Sequence, residues 1–152
     1  MRKKVCWILA ICWMAVIFAF SARNASLSTK DSTTVGMWIG KFLMPGFSGW
    51  EEEKQKDFAE KIDHTVRKTA HATEYAILGV LVAGGLVDGS KKRAYRIFVP
   101  WAIGSVYAAS DELHQMFVPG RSCQLTDIML DSFGVLVGVL LAQAVWARRK
   151  CA

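Results

Sequence analysis

The chain has 152 residues and a net charge of +6, and 53% of it is hydrophobic. That length suits one domain, and its apolar residues fall in blocks long enough for a membrane-crossing helix, which takes about 20 residues. The basic residues sit in short clusters beside those blocks rather than in one stripe. That pattern excludes a nucleic-acid surface and points to charges that orient a membrane protein.

The first block is an expected span over residues 5–22, preceded by Arg2, Lys3 and Lys4. A basic start before an apolar stretch also describes a signal peptide. The length of this block, its tryptophans Trp7 and Trp13, and Arg23 directly after it favour an uncleaved helix. Residues 23–69 read as a long outer loop. Within it "VGMWIGKFLMPGFSGW" is too short and interrupted to span, and its aromatic residues suit an interfacial or re-entrant segment. In "EEEKQKDFAEKIDHTVRK", Phe58, Ile62 and Val66 recur at i, i+4 and i+8. That stripe predicts a helix lying in the outer interface or running into the next span.

Three further spans are expected over 70–87, 97–117 and 127–147. In the last of them Gly134 and Gly138 form a small-xxx-small pair that lets another helix approach closely. The fold class is therefore an all-α membrane protein, a bundle of about four transmembrane helices in a single domain over 1–152. The basic clusters set its orientation. Arg2, Lys3 and Lys4, then Lys91, Lys92, Arg93 and Arg96, then Arg148, Arg149 and Lys150 share one side if four helices alternate. The positive-inside rule makes that side, with both termini, cytoplasmic. Four cysteines (Cys6, Cys12, Cys123 and Cys151) show neither zinc-site spacing nor a disulfide framework.

This topology brings the ionisable residues near the apolar blocks to the outer end. His71 and Glu74 lie in the first turns of the second span, and Asp111, Glu112 and His114 at the outer end of the third. Arg121 lies in the turn, and Asp127 and Asp131 open the fourth. His71 with Glu74, Asp111 with His114, and Asp127 with Asp131 are spaced three or four apart, so each pair shares one helix face. Ionisable groups within spans face a bundle interior or a wet cavity and pair with one another. The competing reading is that each simply sits in the headgroup region. Pro119-Gly120 is a turn signal that reverses the chain and aims Arg121 back at the helix ends.

"RKTAHATEYAILG" and "SDELHQMFVPGRSCQLTDIMLDSFGVLVG" together resemble the VanZ-like family of bacterial membrane proteins. The resemblance covers roughly residues 60–145. It rests on Lys68, His71, Glu74 and Tyr75, then on Asp111, Glu112, Gln115, Pro119, Gly120, Arg121, Asp127, Asp131 and Gly134. It implies a small multi-pass protein of the bacterial plasma membrane and an association with teicoplanin and glycopeptide resistance. It implies no settled mechanism.

Two classes of function compete. In the first, the outer polar set binds an envelope lipid, a lipid-linked sugar or a glycopeptide-related ligand. Lys68, Glu74, Gln115, Arg121, Asp127 and Asp131 are its binding candidates, and Arg121 supplies a fork-shaped anion ligand. A buried salt bridge from Arg121 to Asp127 or Glu112 would shape that surface. The alternative is a membrane-embedded hydrolase or transferase acting on a phosphate-bearing envelope lipid. There Glu112 with His114, or Glu74 with His71, and Asp111 supply acid–base chemistry.

The spacing Arg121-x5-Asp127-x3-Asp131 is similar to a motif of membrane phosphatidic-acid-type phosphatases. Asp127 replaces the nucleophilic histidine, however, and their Pro-Ser-Gly-His motif is absent, so the match is coincidence unless His71 or His114 takes the missing position. No cofactor is expected. A divalent metal held by carboxylates and histidines on facing helices is a variant of the enzyme reading. Partners are the bilayer and an envelope ligand, with no nucleic acid, and the oligomeric state is not set by the sequence. A transporter has little support, because no internal repeat is visible.

Overall fold

The computed structural model describes residues 1–86 and 92–151, with side chains through Trp146. Among the described residues there are five helices and no strand: α1 (Arg2–Ser21), α2 (Ala25–Leu43), α3 (Glu52–Gly85), α4 (Arg93–Gln115) and α5 (Leu125–Cys151). Val87, the last residue of the second expected span, and Lys91 in the basic connection lie outside the described residues. So do the side chains of Arg148, Arg149 and Lys150.

Region 23–69 departs from the expected loop with an interfacial or re-entrant segment. It is a helical hairpin. Asn24 opens α2, its side-chain oxygen accepting a hydrogen bond from the Leu27 amide at 3.0 Å, which satisfies one of the free N–H groups at a helix start. "VGMWIGKFL" is the second half of α2. The chain then reverses through Gly46, at φ 77°, into a short 3₁₀ turn, Phe47–Gly49. Two glycines let α2 lie close to this turn and to α3. A Cβ on Gly36 would meet Ala59 at 3.2 Å, and one on Gly40 would overlap the Phe47 ring at 2.4 Å.

The stripe of Phe58, Ile62 and Val66 belongs to a helix that runs straight into the expected second span. Residues 52–69 contain neither glycine nor proline, so nothing interrupts α3 over its 34 residues. At 1.5 Å per residue that is about 51 Å, well beyond the ~30 Å hydrocarbon thickness of a bilayer.

Contacts fix the directions of the helices. Trp7 of α1 reaches Gly85, and its Trp13 donates to the Glu74 carbonyl at 2.9 Å, so α1 is antiparallel to the second half of α3. On α5, Gly134 sits at Ala72 and Gly138 at Ala76, so α5 runs parallel to α3. Their seam is the most extensive helix contact in the chain. α4 is antiparallel to α5, with Gln143 donating to the Arg96 carbonyl and Trp101 to that of Ser132. The core between them is Ile17, Tyr75, Leu78, Val82, Ala108, Val135 and Val139.

The glycine pair behaves as the spacing predicts. A Cβ on Gly138 would stand 1.9 Å from the Ala76 carbonyl oxygen, and one on Gly134 2.4 Å from that of Ala72. Only hydrogen fits at either position.

Two helical stretches, Arg2–Ser21 and Leu125–Trp146, are long and apolar enough to cross a membrane. Both turn large apolar side chains outward, among them Ile8, Ile11 and Phe18 on α1 and Met129, Phe133 and Leu141 on α5. Exposed apolar surface of this kind suits a membrane or a partner protein. α3 and α4, the other two expected spans, are diluted by the polar residues Lys68, His71, Glu74, Asp111, Glu112 and His114. Cys6, Cys12 and Cys123 are free thiols.

Candidate functional site

The polar residues collect where α1 ends, α4 ends and α5 begins, against the middle of α3. The link from α4 to α5 is a tight turn. The Arg121 amide donates to the Val118 carbonyl at 3.1 Å, and Gly120 has φ 77°. Proline followed by a residue at positive φ is the type II arrangement. The Pro119 carbonyl also accepts from the Ala25 amide at 3.3 Å, tying the turn to the start of α2. The turn thereby points Arg121 back into the bundle, as the sequence suggests.

Asp111 is the buried hub. Its Oδ2 accepts from the Ser21 hydroxyl at 2.7 Å, the Tyr75 hydroxyl at 3.1 Å and the Gln115 amide at 3.3 Å. It thus joins the ends of α1 and α4 to α3. Glu112 is committed as well: one oxygen accepts from Gln115 at 3.1 Å and the other from the Gln124 amide at 3.2 Å. Lys68 and Asp127 form an ion pair at 2.6 Å. Arg67 pairs with Asp63, which also accepts from Ser32.

Arg121 differs from these cations. Among the described residues its guanidinium makes one side-chain hydrogen bond, to the neutral amide oxygen of Gln115 at 2.9 Å, and no ion pair. Its Nε, like that of Arg67, is buried without a partner. Burial, and then the like charge of Arg67, hold its pKa below the ordinary arginine value. Asp111, Glu112 and Glu74 pull in the opposite direction. Arginine remains charged regardless, so this guanidinium is a cation that, among the described residues, has no ion pair within 4 Å.

Two cavities meet at it. One, of about 180 Å³, lies between α3, the turn and α5 and is walled by Arg67, Lys68, His71, Glu112, Arg121 and Asp131, among others. The second, of about 160 Å³, opens toward the ends of α1 and α2. Arg67, His71 and Arg121 line both. Asp131 is 1% exposed, and its Oδ1 has no hydrogen-bond partner, although buried polar atoms are normally satisfied.

Of the residues singled out by the sequence, Lys68, His71, Glu112, Gln115, Arg121, Asp127 and Asp131 line the first cavity, and Glu74 the second. His71 Nδ1 stands 3.7 Å from a Glu74 oxygen, adjacent but beyond hydrogen-bond length. Two residues are not brought to either cavity. Asp111 is spent on the helix-end network, and His114 stacks on Phe18 with ring centroids 4.4 Å apart.

The expected pairings also shift. Arg121 bonds to Gln115 rather than to Asp127 or Glu112, because Lys68 and the Gln124 amide hold those carboxylates first. Sequence reasoning missed Arg67, Asp63 and Ser21. Arg67 had a signal: it stands four residues before His71 and four after Asp63, on the same α3 face. Among the described residues no group of three or more His, Cys, Asp or Glu is arranged to hold a metal ion.

A family model described as VanZ/LLP1 matches residues 6–146. No curated protein and no solved structure matches the chain.

Proposed function

Since the chain belongs to the VanZ/LLP1 family, we propose that it is a multi-pass protein of the bacterial plasma membrane whose outer cavity binds an anionic, phosphate-bearing envelope lipid. In this reading α1, the second half of α3, α4 and α5 are four spans of one domain. The basic clusters support cytoplasmic termini, with the cavity opening at the outer leaflet. Retention of such a lipid is the route by which the protein would contribute to teicoplanin or lipoglycopeptide resistance.

The observation that carries this reading is Arg121. It is a cation between two cavities, bonded only to an amide, with no counter-charge within ion-pair distance among the described residues. Guanidinium matches phosphate oxygens with two parallel N–H donors, and a bound anion would supply the missing charge. Lys68 and Arg67 stand on the same wall, each already paired with a carboxylate, Asp127 and Asp63, which leaves Arg121 as the cation open to an anion. The unpartnered Asp131 oxygen on the same cavity is an acceptor for a donor on the headgroup.

Binding is favoured over catalysis by the Glu112–His114 pair because those two are engaged elsewhere; His71 and Glu74 line the cavities but stand beyond hydrogen-bond length of each other. Both Glu112 oxygens accept hydrogen bonds, and His114 is packed against Phe18. The test is the thermal shift of purified protein on adding phosphatidic acid. A ligand at about 100 times its Kd stabilises by about 2.7 kcal/mol. Arg121→Gln should abolish that shift, and Arg121→Lys should restore part of it. An undiminished shift in Arg121→Gln sinks the proposal.

A further inference from the structure

The polar cavity continues into an apolar groove of about 490 Å³ along the seam between α3 and α5. Cavity and groove share His64, Lys68 and Leu130. From there the groove passes Ala72 and Ala76 on α3 and Val137 on α5. Its floor is shallow because Gly134 and Gly138 bring the two backbones together under small side chains. From Lys68 to Ala76 it runs about 12 Å at 1.5 Å per residue, close to half the ~30 Å hydrocarbon core. It therefore runs about one leaflet deep, starting at the cavity that holds Arg121.

We infer that the ligand is held as an intact amphiphile, its phosphate at Arg121 and one hydrocarbon chain lying in the α3–α5 groove, so that it enters laterally from the bilayer. This rests on the reading of the cavity as a lipid-phosphate site and adds the path of the chain. The occupant is a membrane lipid because the groove joins a polar cavity holding the unpaired Arg121 guanidinium at one end to an apolar helix seam at the other. A soluble phosphate satisfies only the first. Lipid tails are as apolar as the groove itself, so the chain gains little by moving into it, but a chain whose phosphate sits at Arg121 must lie there, and filling the groove shuts the lipid out. The groove sets orientation and access, and the charged cavity supplies affinity.

Thr73 and Val137 line the groove and not the cavity, and Thr73 is exposed. Thr73→Trp and Val137→Trp therefore fill the groove without touching Arg121. Binding of two probes to the full chain separates the possibilities: phosphatidic acid in mixed micelles, and glycerol 3-phosphate, which has a matching phosphate and no chain. Each tryptophan variant should weaken phosphatidic acid at least about tenfold while glycerol 3-phosphate changes less than about twofold, tenfold being a loss of about 1.4 kcal/mol.

Unchanged phosphatidic acid binding in both variants, with wild-type melting, places the chain elsewhere and overturns the inference. An equal loss of both probes overturns it too, because the groove would then act only through the cavity's shape. If Arg121→Gln still abolishes glycerol 3-phosphate binding in those cases, the cavity reading survives alone. If neither probe binds the wild-type protein, both readings fall.

Discussion

Asp111→Ala removes the acceptor shared by three side chains from three helices, and the geometry around it sets the cost. Ser21 and Tyr75 are both fully buried, and each donates its hydroxyl to the same Asp111 oxygen, at 2.7 and 3.1 Å. Gln115 loses a longer bond of 3.3 Å but keeps Glu112 at 3.1 Å. Two buried donors are thus orphaned. An unsatisfied buried group costs about 1–3 kcal/mol, so the expected loss is about 2–6 kcal/mol. For a chain of this size that corresponds to a fall in Tm on the order of 10 °C.

Asp111→Asn keeps an oxygen in place for both hydroxyls. It should lose only the charged share of those bonds, about 1 kcal/mol. The assay is thermal unfolding of the detergent-purified protein, monitored by tryptophan fluorescence. Equal and small shifts for both variants, below about 2 °C, would show that Ser21 and Tyr75 have other acceptors. Asp111 would then not be the hub that joins the helix ends.

Gly138→Ala puts a methyl 1.9 Å from the Ala76 carbonyl, so α3 and α5 must separate. Overpacking of this kind costs about 1–3 kcal/mol, and a wild-type melting curve would refute the close seam. His114→Asn should leave phosphatidic acid affinity within about twofold, a change below about 1 kcal/mol, because the ring packs on Phe18 outside both cavities; abolished binding would return it to the site. Lys68 and Asp127 are each about 30% exposed at 2.6 Å. A double-mutant cycle on stability should therefore give a coupling of about 0.2–1 kcal/mol, and zero coupling would deny the pair.

Local chemistry and helix periodicity were legible in the sequence. Pro119-Gly120 announced the turn that aims Arg121, because only a residue at ease with positive φ suits that position. The four-residue spacing of Gly134 and Gly138 announced a close helix contact, and Ala72 and Ala76 are what they meet. The hairpin of α2 and α3 was not legible. Its aromatic stretch from Val35 to Leu43 looks interfacial, and the glycines that make the hairpin possible, Gly36 and Gly40, act only once Ala59 and Phe47 lie opposite. Individual pairings were hidden for a related reason. Spacing puts Asp111 and His114 on one face of α4, but the neighbours decide their use, and Ser21, Tyr75 and Phe18 come from distant parts of the chain. Arg67 escaped because an arginine beside Lys68 at an apolar boundary looks like interfacial charge.

What occupies the space in front of Arg121 in a lipid environment bears most directly on the proposed function. The decisive measurement is an experimental structure of the full chain in nanodiscs containing phosphatidic acid. The expected result is a phosphate within hydrogen-bonding distance, about 3 Å, of the Arg121 guanidinium, with its chain along Ala72 and Ala76. An Arg121 that instead pairs with Asp127 or Glu112, with every ordered phosphate outside the cavity, would contradict it.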